Sequence, residues 1–261
     1  MRWSAKFSKS PQKLLWLAAA LTTALTVLTL PGLFLDSRLV TGVNPWIKPL
    51  KFDVSVAIFS ITLAWVVDSL PAAVARRVSF RLTAMGLFEI FCIYLQAARG
   101  EASHFNLQTP FNAAIFSLMG IAIAYLTVVV IQIFIEFVKR PPALPKIQLR
   151  AIQLGLASVI VGCFLGGYMS SQKGHTIGAA DGGPGLPLTH WSTQAGDLRV
   201  THFLGLHGIQ LILLVAWLLQ KKWPRMNDKV GTRWITAVFA VWLFLDLFTF
   251  WQALEARPFL S

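Results

Sequence analysis

Seven runs of apolar residues, each long enough to cross a bilayer, leave this chain few folds to choose from. A helix needs about 20 such residues to span the hydrocarbon core. Lipid satisfies no backbone hydrogen bond, so a spanning chain must pair its own N–H and C=O groups within helices or a closed barrel. The runs are 14–35, 50–70, 81–103, 111–138, 151–170, 201–220 and 233–255. The expected fold class is therefore all-α, a polytopic membrane helical bundle of seven transmembrane helices forming a single domain over 1–261. The fourth run is long enough to require tilt or a projecting end. Only 13% of the residues are charged, where a soluble domain carries roughly a quarter.

The charges that remain are distributed unevenly. With the N-terminus inside, 16 of the 23 Lys and Arg residues fall on the cytoplasmic side, in 1–13 and between spans two and three, four and five, six and seven. The other seven are Arg38, Lys48, Lys51, Arg99, Lys173, Arg199 and Arg257. The positive-inside rule then predicts an N-in, C-out topology. The net charge of +12 reflects these short clusters between spans and not a phosphate-binding face, so nucleic acid is not an expected partner. The basic start (Arg2, Lys6, Lys9, Lys13) leads into a run too long for a signal peptide, which reads as an uncleaved first helix. Cys92 and Cys163 sit within apolar runs and imply no disulfide. No internal repeat of the inverted-transporter kind is visible.

Chemistry concentrates towards one side. All five histidines (His104, His175, His190, His202 and His207) are expected on or near the outer face. In the third span Glu89, Cys92, Gln96, Arg99 and Ser103 recur at steps of 3, 4, 3 and 4, which places them on one helical stripe. A stripe with a carboxylate and a guanidinium should face the bundle interior, either as glue between helices or as the lining of a site. Glu101 and His104 follow near the outer boundary. His202 and His207 are five residues apart, about 140° around a helix and about 7.5 Å along it, so one ion cannot easily take both. Gly205 and Gly208 form a smooth patch beside them that another backbone or a flat cofactor could approach.

The loop 171–200 is longer than a compact bundle needs. Its glycines and prolines demand special turns, and His190-Trp191 suggests docking, so a folded lid over the outer mouth is expected. Asp246, near mid-span in the seventh run, joins Glu89 as a deeply placed acid and a candidate proton carrier. Lys48 and Lys51 open the second span in NPWIKPLKFD, together with Trp46 and Asp53. The lysines offer cations against the positive-inside trend.

NPWIKPLKF (44–52), QAARGEASHFN (96–106), and GHTIGAADGGPGLP with GDLRVTHFLGLHGIQ (174–187 and 196–210) resemble segments of a family of uncharacterised bacterial polytopic inner-membrane proteins. The likeness covers spans two, three, five and six and the outer loop. It implies a bacterial inner membrane and nothing about mechanism.

From the residues themselves, the leading expectation is a membrane oxidoreductase binding non-covalent haem b, or else Zn, Cu or Fe, near the periplasmic face. His104 and His207 are the preferred ligands, with His202, His175 and His190 as alternates. Arg99, Arg199, Lys48 and Lys51 would pair with propionates, and Glu89 and Asp246 would deliver protons, with the lipid bilayer, a quinone and a second copy as partners. Two alternatives are an intramembrane zinc hydrolase with ligands from separate helices, for which no HExxH exists, and a small-solute transporter or channel using the polar stripe as its path. A retinal protein is disfavoured because the seventh span has no lysine.

Overall fold

The computed structural model describes residues 11–260. Arg2, Lys6 and Lys9, counted above for orientation, lie outside the described residues. The chain forms seven helices: α1 (Lys13–Leu35), α2 (Ile47–Val67), α3 (Ala72–Arg99), α4 (Pro110–Lys139), α5 (Lys146–Ser171), α6 (Leu198–Lys222) and α7 (Asp228–Leu254). All seven are long and apolar enough to span a membrane, so this is a multi-pass membrane protein of the all-α class. Large apolar side chains such as Leu28, Phe34, Ile121, Phe164 and Phe244 are exposed, as expected where lipid is the solvent.

Local chemistry sets the helix ends. Pro71 and Pro145 precede the first turns of α3 and α5, where a missing N–H costs nothing. α3 starts nine residues earlier than the apolar run 81–103, because Arg76, Arg77 and Arg81 can sit in a helix while their heads reach for water. It also stops four residues earlier, at Gly100, whose φ of 71° lets the chain reverse while its N–H bonds back to Ala97 and Gln96. Ser103 and His104 are therefore not on the helix. α6 is capped by Asp197, which accepts from the Arg199 amide, and α7 by Asn227, which accepts from the Lys229 amide.

Two compact units divide the chain, 1–129 and 130–261. In the first, α1, α2 and α3 pack on one another, and Met119 from the first half of α4 is buried with Cys92 and Ile93 against Phe52 and Phe88. In the second, α5, α6 and α7 pack around Ile147, Ala151, Ile212, Ala216 and Ile235. Its long connection carries a two-stranded antiparallel ribbon, β1 (Thr176–Ile177) with β2 (Gly196–Asp197).

The connection expected to form a lid is folded. Asp181 accepts from the backbone N–H groups of His175 and Thr176 and meets the His175 ring at 2.7 Å. Burial pushes the Asp181 carboxyl up, but the His175 ring and these amides outweigh it and hold the group well below the usual carboxylate range. Trp191 packs edge-on against Phe203 of α6 and Phe259, and Gly178 and Gly196 let the ribbon lie against the end of α7 at Ala256 and Ala253.

Candidate functional site

In the first unit the α3 stripe points inward, with Glu89, Cys92 and Gln96 all buried. Glu89 lies ten residues inside the end of α3, about 15 Å along the helix. After Gly100 the connection 100–109 folds back into the unit, burying Ser103 and Asn106. Phe105 turns this segment with a left-handed φ of 58°, a conformation that costs a bulky residue energy and collects at functional sites.

The returning loop carries His104 to Glu89, Nε2 to Oε1 at 3.6 Å. The opposite ring nitrogen, Nδ1, lies 3.0 Å from Lys48 Nζ and 3.1 Å from Ser103 Oγ. An ammonium has only donors, so Nδ1 accepts and the hydrogen of the neutral ring sits on Nε2, facing the carboxylate. Phe52, Phe105 and Phe116 stand around the imidazole at centroid distances of 6.0–6.2 Å. Glu89 Oε2 is buried and has no hydrogen-bond partner among the described residues. The result is a chain of three ionisable groups, Lys48–His104–Glu89, from a helix start, the returning loop and a helix interior.

Nearer the end of α3, Arg99 donates to Gln96 Oε1 at 2.6 Å and Asn112 Oδ1 at 2.9 Å, and lies over the Phe111 ring. Glu101 accepts from Asn106 and Asn112. This network ties the ends of α3 and α4 and accounts for Arg99 without a ligand. Lys51 is half-buried one turn along α2 from Lys48.

Sequence reasoning placed Asp53 with interfacial residues and missed what it does. Its side chain is fully buried. Tyr94 Oη lies 2.5 Å from Asp53 Oδ2 and also touches the Thr29 hydroxyl, while Thr29 donates to the Leu25 carbonyl at 2.7 Å. Thr29, Asp53 and Tyr94 each sit five or six residues from the corresponding ends of α1, α2 and α3, so the three meet about 8–9 Å inside. The available signal is a carboxylate about one turn inside the apolar run 50–70.

In the second unit Asp246 is buried, and its Oδ1 accepts from Thr201 at 2.6 Å. His202 Nδ1 lies 2.8 Å from the Gly162 carbonyl; a carbonyl only accepts, so Nδ1 carries the hydrogen and Nε2 the lone pair of the neutral ring. Gly166 makes room for this ring, since a Cβ there would meet His202 Cε1 at 2.5 Å. The His207 ring lies tilted against Phe203, with ring centroids 4.4 Å apart. The patch at Gly205 and Gly208 is filled by helices: Gly205 lies on Gly162, and Gly208 against Ser158 and Trp242. Arg199 is held by Asp197 through Nε and Nη2 and donates to the His190 carbonyl. His190 itself adopts a left-handed φ of 54° within the lid.

His104 and His207, the preferred ligand pair, belong to different units. Among the described residues no group of three or more His, Cys, Asp or Glu side chains is placed to hold a metal ion. His104 turns both nitrogens to side chains, and the glycine face expected to take a ring edge holds α5 and α7. No family model, curated protein or solved structure matches the chain.

Proposed function

We propose that the protein exchanges protons between its outer face and the membrane interior through Lys48, His104 and Glu89, as the driving step of a small-solute transporter. The observation that carries this reading is His104, bonded on one nitrogen to Lys48 and facing Glu89 with the other. Imidazole can take a proton on one nitrogen and give one from the other. Glu89, with an unpartnered buried oxygen, is the acceptor inside. An ionisable group at this depth is a functional hypothesis by default. The orientation is N-in by the charge asymmetry, in a bacterial inner membrane, which puts Lys48 and His104 on the periplasmic side. A proton entering there moves down the membrane potential, which is worth about 2.3 kcal/mol per charge at 100 mV.

Reconstituted in liposomes under an inside-negative potential, the wild-type protein is expected to acidify the lumen faster than empty vesicles. Glu89→Gln and His104→Gln should each slow this by about 100-fold, the usual loss when a positioned acid or base is removed. Equal rates in wild type and both variants would sink the proposal. Haem or metal ligation with quinol-linked redox chemistry is the second reading. It draws support from one observation, the lone pair that the Gly162 contact leaves on His202 Nε2, and a Soret band in the purified protein would favour it.

A further inference from the structure

We propose that Asp53, Tyr94 and Thr29 form a second proton-holding site, in which the Asp53 carboxyl is neutral and its hydrogen begins a chain running through both hydroxyls to the backbone of α1. Three short oxygen–oxygen contacts run in series: Asp53 Oδ2 to Tyr94 Oη, Tyr94 Oη to Thr29 Oγ1, and Thr29 Oγ1 to the Leu25 carbonyl. Each needs a hydrogen between its two oxygens. The carbonyl can only accept, so the Thr29 hydrogen points to Leu25. Thr29 then has only lone pairs to offer Tyr94, and the Tyr94 hydrogen points to Thr29. The contact between Tyr94 and Asp53 is left without one unless Asp53 supplies it. An ionised Asp53 would set lone pairs against lone pairs at 2.5 Å.

A second, independent observation agrees. Asp53 is completely buried, and its other oxygen, Oδ1, has no hydrogen-bond partner among the described residues. A buried carboxylate needs several donors around both oxygens, and an unsatisfied charged oxygen is far costlier than an unsatisfied neutral one. Among the described residues its side-chain partners from the helices packed on α2 are Thr29 of α1 and Tyr94 of α3, and of these only Tyr94 titrates. On α2 itself the charged neighbours are Lys48 and Lys51. The site joins α1, α2 and α3 of the first unit, so loading or unloading one proton makes or breaks a link between them. It uses no residue of the Lys48–His104–Glu89 chain and does not depend on that chain's role.

Infrared difference spectroscopy of the full-length protein in lipid, in D2O, tests this. The wild type should show a carboxylic-acid C=O band that Asp53→Asn abolishes and Tyr94→Phe shifts, while Glu89→Gln leaves that band in place. Asparagine mimics the neutral acid and can donate to Tyr94, so Asp53→Asn should fold with wild-type thermal stability. The proposal is overturned if Asp53→Asn removes a carboxylate band instead, or if Tyr94→Phe leaves the acid band unmoved. Adding sodium at constant pH should not change the band; its loss on adding sodium would make the cluster a cation site and overturn the proposal as well.

Discussion

Asp181 is the residue whose ionisation the structure ties most directly to local order outside the spans. It receives two backbone N–H groups and the His175 ring, and its pKa is lowered in the folded chain. A lowered carboxylate stabilises the fold fully above its unfolded value of about 3.9. That contribution is lost only as the pH falls through the lower folded value, so the lid should stay ordered throughout the neutral and mildly acidic range. Asp181→Ala should speed hydrogen exchange at the His175 and Thr176 amides by about tenfold at neutral pH, the loss of charge-assisted bonds; unchanged exchange would count against these contacts. Legibility at this scale was uneven. Glu89 and Gln96 announced themselves by helical spacing. The meeting of His104 with Glu89 did not, because it depends on Gly100 reversing the chain, and a helix extrapolated through residue 103 carries His104 away from Glu89. Asp53 finds its partners 24 and 41 residues away, beyond the reach of any local pattern.

Between elements, the tightest association is α5 on α6. Gly155, Ser158, Gly162 and Gly166 recur at steps of 3, 4 and 4 on α5 and receive Ile209, Gly208, Gly205 and His202 of α6. With no hydrophobic force between helices in lipid, such small residues let backbones touch and dispersion and polar bonds act. Ser158 adds one of those, donating to the Gly205 carbonyl at 2.9 Å. A Cβ on Gly162 would lie 2.5 Å from the Leu206 amide nitrogen. Gly162→Leu must therefore separate the helices, and we expect a loss of about 3 kcal/mol or more, read as a lower thermal midpoint in detergent; a wild-type midpoint would contradict this packing. Half of the interface was visible in the sequence, since Gly205 and Gly208 marked a smooth face. Its occupant was not, because a glycine face suits a backbone and a flat cofactor alike. Asp36 with Arg38 and Asp197 with Arg199 make the same local clamp, each carboxylate taking the amide and guanidinium two residues on.

For the molecule as a whole, seven spans were legible because hydrocarbon thickness fixes helix length more strictly than any packing preference does. Their ends were less so, since arginines at the start of α3 extend the helix past the apolar run and Gly100 cuts it short. The proposed function is the least legible, because it rests on which polar groups α2, α3 and the loop 100–109 bring together. The central claim is that His104 bridges Lys48 and Glu89, and the state of its two ring nitrogens reports this directly. Solid-state NMR of the ¹⁵N-histidine protein in lipid, with His104→Gln to assign the signal, should find neutral His104 protonated at Nε2 and bare at Nδ1. In Glu89→Gln the Nε2 resonance should shift while Nδ1 keeps its contact with Lys48. A neutral His104 protonated at Nδ1, or an Nε2 signal indifferent to residue 89, would contradict the account.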